Sequence, residues 1–300
     1  MPGSKLIGHL AAAGAYIIFG LNIVFCKDIA NASAISPIAL FSLRALFASA
    51  LFWLVSIFCP KEQLAKGDFW RIGLASFIGL FVPQYTFLVA ITMTTAIDTA
   101  IIGTFSPIFT MIIAAIALKE PITAKKAGGV AISFGGILFL IFNSVLSSNG
   151  VTQTRTLGII LLLMNSLSFA AYLGIFKPMI SRYNVITFMK WMFPWALAIS
   201  LPFSFRDLVT TNYEAIPTNV LWEIGFLVFF ATFIAYFLVP VGQKRIRPTL
   251  VSMYSYLQPI IATIFAIIAG MDIITWQKIL ATVLVVSGVI IVNKSRAASA

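Results

Sequence analysis

The sequence predicts an all-α integral membrane protein: ten transmembrane helices arranged as two inverted five-helix repeats, with both termini on the inner side. Three observations lead there. Only 10% of the 300 residues are charged and 60% are hydrophobic, whereas a soluble domain carries roughly 25% charged residues and has too little interior to hide so much apolar surface. The uncharged runs 72–97, 99–118, 127–154, 156–176, 224–243 and 248–271 each reach the roughly 20 residues that a helix needs to cross about 30 Å of hydrocarbon. The basic residues, finally, divide unevenly between alternate connections.

The spans follow in order. Met-Pro-Gly-Ser-Lys runs directly into an apolar stretch over 6–26, too long for a signal-peptide core and without a small-x-small cleavage site, so it reads as the first span. Spans two to five are expected at 36–58, 69–91, 97–118 and 126–143, separated by short polar connections such as Lys61-Glu62-Gln63 and Lys119-Glu120-Pro121. The polar stretch Asn143–Arg155 reads as the mid-chain linker, dividing the chain into halves at 1–148 and 149–300. Spans six to ten are expected at 156–177, 184–203, 220–240, 248–270 and 275–293, with the longest connection at about 204–219. In lipid every backbone N–H and C=O must be satisfied within its own segment, so such runs become helices. None alternates polar and apolar residues as a barrel strand would.

Orientation follows from Lys and Arg. With the N-terminus inside, the inner ends and loops hold Lys5, Lys61, Lys66, Arg71, Lys119, Lys125, Lys126, Lys177, Arg182, Lys244, Arg245, Arg247, Lys294 and Arg296. The outer loops hold Lys27, Arg155, Arg206 and Lys278. The imbalance fixes both termini inside and requires an even number of spans. It also accounts for the net charge of +11, which therefore does not signal a nucleic-acid partner. Cys26 and Cys59 fall at opposite faces and read as small core residues.

The second half echoes the first. At an offset of 152, Ser106-Pro107-Ile108 matches Gln258-Pro259-Ile260, Glu120 matches Asp272, Ile122-Thr123 matches Ile274-Thr275, Lys126 matches Lys278 and Gly136 matches Gly288. At an offset of 150, Gly8 matches Gly158, Phe19 matches Phe169 and Lys27 matches Lys177. Five spans per half is an odd number, so the second half enters the membrane upside down. Inverted repeats of this kind build transporters that open alternately to either side. With Pro107, Glu120, Gly135-Gly136 in one half and Pro259, Asp272, Gly288 in the other, the chain resembles the EamA-type permeases of the drug/metabolite transporter superfamily. Gly270-Met271-Asp272 departs mildly from the glutamate usual at that turn. The resemblance implies transport of a metabolite such as an amino acid or nucleobase.

Candidate site residues come from two arguments. Proline offers no N–H to the carbonyl four residues back, so Pro107 and Pro259 free the carbonyls of Gly103 and Ser255, and interrupted helices at matching positions mark substrate sites. Polar side chains at membrane depth must face the bundle interior or a cavity; these are Asn22, Gln84, Tyr85, Ser106, Asn165, Tyr172, Tyr236, Tyr254 and Gln258. Helix–helix hydrogen bonding accounts for such residues equally well. Arg44 and Lys190 are the cations within spans, each in the second helix of its half, and suit a substrate carboxylate or phosphate; snorkelling to a headgroup is the alternative. Asp98, at the outer end of span four, is the carboxylate best placed for ion coupling, although a charge at a helix N-terminus is explanation enough. His9 reads as interfacial, and close packing of span five explains the Gly128/Gly135 and Gly129/Gly136 spacing.

The reading is thus a multi-pass carrier in the cell membrane (the inner membrane in a bacterium), most simply an exporter of amino acids or related amphipathic metabolites. Its expected partners are a small-molecule metabolite and the lipid bilayer, with no nucleic acid, cofactor, metal or catalytic residue, in a monomer or weak dimer. Import or exchange of anionic metabolites of the phosphate-ester or nucleotide-sugar type is the alternative, followed by a membrane sensing or structural subunit. A membrane enzyme lacks its acidic cluster or nucleophile–histidine pair, and no GxxxxGK[ST] loop is present for ATP.

Overall fold

The computed structural model describes residues 2–117, 123–147, 155–268 and 276–293. Among the described residues, helix occupies most of each segment expected to span. In the first half these are α1 (Pro2–Ala32), α2 (Pro37–Ser56), α3 (Asp68–Ser76) continuing into α4 (Val82–Ile91), α5 (Ala96–Gly103) followed by α6 (Ser106–Ala117), and α7 (Ala124–Ser147). The second half contains α8 (Thr156–Ile175), the short α9 (Lys177–Arg182), α10 (Val185–Thr210) and α11 (Thr218–Phe226) continuing into α12 (Ala235–Arg245). It closes with α13 (Pro248–Met253), α14 (Leu257–Ile268) and α15 (Trp276–Asn293). Among the described residues, seven helical stretches are long and apolar enough to cross a membrane. Their outward faces carry exposed Leu10, Leu54, Ile116, Phe203 and Trp222, a surface that suits lipid and not water.

Packing respects the exchange of halves. α2 lies against α10 and α7 against α15, pairing each helix with its counterpart. α1 packs on α12 and α14, and correspondingly α8 packs on α4 and α6. Where the helices touch, small residues let backbones approach, as expected when lipid removes the hydrophobic drive to associate. A Cβ on Gly242 would lie 3.3 Å from the Gly8 carbonyl oxygen, and one on Gly20 would lie 2.7 Å from Ile261 Cβ.

Several boundaries differ from the sequence reading. α1 continues to Ala32, taking in Lys27, whose Nζ donates to the carbonyls of Ile91 (3.2 Å) and Thr94 (2.7 Å) at the end of α4. A cation there satisfies carbonyls that the helix end leaves open. α10 continues to Thr210 through Pro194 and Pro202, because its last turns are tied to the start of α2: the Ser36 hydroxyl donates to Asp207 Oδ2 at 2.5 Å. α7 runs to Ser147, so the linker begins later than Asn143. Close packing at Gly128 and Gly135 is not found, since a Cβ on either meets nothing within 4 Å. The tight approach of α7 is made instead at Gly129 and Ser133, against Gly288. Glu120 and Asp272, the acidic pair of the repeat, lie outside the described residues.

Candidate functional site

Two kinds of helix interruption converge on the centre of the bundle. The first is the break at the matched prolines. α5 ends at Gly103, and two turn residues precede α6 at Ser106; in the second half a 3₁₀ turn over Tyr254–Tyr256 separates α13 from α14. The interruption expected at each proline is thus a two-residue turn in the first half and a narrowing to a 3₁₀ turn in the second. The second kind is π-helical. Phe77–Phe81 joins α3 to α4, and Leu227–Ile234 joins α11 to α12. Pro83 offers no N–H to the carbonyl of Gly79, which accounts for the widened turn before it. Side chains of α8 take up carbonyls loosened there: Asn165 Nδ2 donates to Pro83 O at 2.7 Å and the Ser168 hydroxyl to Ile78 O at 2.6 Å. π turns of this kind recur at functional sites.

A cavity lies between these interruptions. It spans about 700 Å³ of space between atoms, part of it open to the surroundings, and about 90 Å³ admits the centre of a water molecule. One water needs about 10–15 Å³ by that measure, so the walls stand close together in this conformation. α1 contributes Tyr16, Phe19, Asn22 and Ile23, and α2 contributes Arg44. Pro83, Gln84 and Phe87 come from α4; Thr99, Gly103 and Ser106 come from the broken fourth span. From the second half, α8 supplies Leu162, Asn165, Ser166 and Phe169, α12 supplies Tyr236, the 3₁₀ turn supplies Ser255, and α14 supplies Gln258. Gly103 and Ser255, whose carbonyls the prolines leave without an N–H, both reach the wall. The glycine also makes room for its neighbour: Gln258 Oε1 lies 3.5 Å from where a Gly103 Cβ would sit.

The wall is rich in uncommitted polar groups. The hydroxyls of Tyr16, Ser106, Ser166 and Ser255 are buried without a hydrogen-bond partner among the described residues. Gln84 is buried, and its amide faces the Tyr236 hydroxyl. Buried polar groups in a protein are normally paired, so such a concentration marks a place where a solute or water completes the bonding.

Of the residues singled out from sequence, Asn22, Arg44, Gln84, Ser106, Asn165, Tyr236 and Gln258 are brought together here. Others are not. Tyr85 points outward and stacks on Phe81 at 5.8 Å. Tyr172 is buried beside Phe169 and Phe176, one helix face away from the cavity. Tyr254 is engaged by His9 Nδ1 at 2.9 Å. Pro107 and Pro259 shape the breaks but do not line the wall, and Asp98 lies at the capped start of α5, where its N–H donates to Thr95 Oγ1. Lys190 is also outside: its ammonium lies 5.2 Å from the centre of the Trp53 ring, a cation–π contact. Lys190→Leu is therefore expected to leave solute flux within about twofold of wild type, because a partly exposed cation–π pair contributes only about 0.5–1 kcal/mol; flux measured in proteoliposomes checks this. Tyr16, Phe19, Thr99, Ser166 and Phe169 were missed. Their signal was present in the register of Asn22 and Asn165, since Phe19 and Phe169 lie three residues before and four after these amides on the same helix faces.

The profile of the EamA-like transporter family matches the chain twice, over residues 6–142 and 156–294. The chain belongs to this family. It is 25% identical over 265 residues to the uncharacterized transporter YyaM of Bacillus subtilis (strain 168), covering 85% of this chain and 84% of that protein. An uncharacterized transporter of Archaeoglobus fulgidus is 27% identical over 294 residues, covering 96% and 86%. A solved crystal structure superposes with a TM-score of 0.74 at 15% identity, over 97% of this chain and 96% of that one, and so shares the fold. This EamA-like protein is a multi-pass membrane transporter of the cell membrane.

Proposed function

We propose that this transporter exports amino acids or related amphipathic metabolites by alternating access, through the cavity between its two halves. The observation that carries the reading is the wall itself. Hydroxyls and the Gln84 amide, without hydrogen-bond partners among the described residues, line the same wall as the rings of Phe19, Phe87 and Phe169, so one end of a solute meets hydrogen-bonding groups and the other meets aromatic faces. The exchange-symmetric packing of the halves supports rocking about the cavity. Both termini lie on the inner side in this reading, following the basic loops.

Arg44 favours a second reading, exchange of anionic metabolites. A single guanidinium in so narrow a wall suits a small monoanion better than a doubly charged phosphate ester or a bulky nucleotide sugar. The deciding experiment is counterflow in proteoliposomes against a panel of labelled amino acids and nucleobases. Wild-type protein is expected to accumulate at least one of them, Gln258→Ala to lose about tenfold or more (the 1.4 kcal/mol of a buried hydrogen bond or two), and Lys190→Ala to match wild type. Equal accumulation in empty liposomes overturns the reading.

A further inference from the structure

Among the described residues the cavity wall holds one full charge, and no carboxylate there forms an ion pair with it. Arg44 is only 2% exposed. It is the eighth residue of α2, about 10 Å from the helix start at 1.5 Å per residue, at a depth where an unpaired cation is costly. Its Nε donates to the Thr232 hydroxyl at 2.8 Å, and that hydroxyl donates in turn to Leu227 O at 2.7 Å, across the π-helical segment. The Cys26 thiol and the Tyr236 hydroxyl are its other neighbours. A guanidinium carries five N–H donors, and the terminal nitrogens find no oxygen among the described residues. The ion pairs of Asp68 with Arg71 and Arg182 lie outside the cavity. A buried cation is ordinarily paired or bound to an oxygen cluster. Here the side chain is held at Nε by a residue of the widened helix turn, and Arg44 lines the cavity.

We propose that Arg44 is the anchor for a single carboxylate on the transported solute, and that the cavity accordingly selects small monocarboxylates with an uncharged or aromatic remainder. This rests on the transport reading of the same cavity. The fork geometry of guanidinium matches a carboxylate through two parallel hydrogen bonds. Among the described residues no carboxylate lines the wall, so an ammonium on the solute is met there by amide oxygens, hydroxyls and ring faces, and adds less selectivity than the carboxylate. Thr232 is a positioning residue, holding the guanidinium through Nε.

The test is counterflow in proteoliposomes with matched labelled pairs differing only at the carboxyl group: phenylalanine against phenylalaninamide, leucine against leucinamide, and 3-phenylpropionate against 3-phenylpropionamide. At limiting concentration wild-type protein is expected to move the acid of a pair at least about tenfold faster than the amide, the worth of a charge-assisted bond. Arg44→Gln is expected to remove that preference while raising melting temperature, since it deletes an uncompensated charge; Arg44→Lys keeps part of the preference. If Arg44→Gln cannot be purified, Thr232→Val serves: KM for the acid rises several-fold with kcat unchanged, and the amide is unaffected. Amides moving as fast as acids, or a preference that survives Arg44→Gln, overturns the assignment of Arg44 and leaves transport standing. Failure of wild-type protein to move either member of any pair, with the amino-acid and nucleobase panel also inert, overturns both.

Discussion

Gly288→Ala is expected to abolish the tight seating of α15 on α7 and to lower the melting temperature of the purified protein more than any other single-methyl addition. A Cβ at this position would stand 2.4 Å from the Gly129 carbonyl oxygen, 2.9 Å from Ser133 N and 2.0 Å from Ser133 Oγ. The hydroxyl can rotate away, but the two backbone atoms cannot. The helices must therefore part by about an ångström along their contact, at an overpacking cost of about 1–3 kcal/mol or more. Nothing hydrophobic compensates, because lipid solvates the separated faces as well as the partner helix does. Gly128→Ala is the control. Its Cβ meets nothing within 4 Å, and an alanine in a helix gains about 0.5–1 kcal/mol over glycine. Tryptophan-monitored thermal unfolding in detergent reads both. Coincident melting of Gly288→Ala and wild type would mean that α7 and α15 do not approach in this way.

Asp68→Ala is the second large loss. The carboxylate, 2% exposed, ties the first half to the second at the end of the bundle that carries the N-terminus. Its Oδ2 accepts from Arg182 Nη1 at 2.8 Å and from the Tyr183 hydroxyl at 2.6 Å, and Oδ1 faces Arg71 Nη1 at 3.4 Å. The same hydroxyl accepts from Ala65 N at 3.0 Å. Lys244 reaches the Tyr183 carbonyl, and Asn184 N donates to Glu62 Oε2 at 2.8 Å. Burial, with the carboxylate at its hydroxyl, pushes the Tyr183 phenol above its ordinary range, so it remains a donor at neutral pH. The two arginine side chains are 71% and 59% exposed, and such pairs contribute only about 0–1 kcal/mol each. Most of the effect therefore comes from stranding the Tyr183 hydroxyl, and the total is on the order of 2–4 kcal/mol. Asp68→Asn keeps an acceptor and loses less. In a double-mutant cycle with Tyr183→Phe the two losses should overlap by about 1–2 kcal/mol; strict additivity would show that the hydroxyl and carboxylate do not communicate.

Much of this architecture was legible because lipid enforces it. Charge-free runs mark the spans, and the matched prolines at 107 and 259 lead directly to the breaks that expose Gly103 and Ser255 to the cavity. What stayed hidden was rotation about each helix axis. Tyr172 and Tyr236 are both aromatic hydroxyls at mid-helix, yet only Tyr236 reaches the wall. In a soluble helix the polar stripe would reveal which face turns inward; here core and lipid are equally apolar, and the stripe vanishes. Arg44 and Lys190 occupy corresponding helices, and only contact with Thr232 or Trp53 separates their roles. The π turn before Pro83 has a sequence cause, whereas that at Leu227–Ile234 lacks a proline and gave no warning.

Those two widened turns carry a mechanical corollary. A π turn stores one residue more than the helix on either side requires. Letting that residue slip back into ordinary helical pitch would twist everything beyond it by about 100°, the angle between successive residues on a helix of 3.6 per turn. Gln84 lies just past one such reservoir and Tyr236 just past the other. A corkscrew motion of a single segment is thus enough to swing either side chain off the wall, with the rest of the bundle standing still.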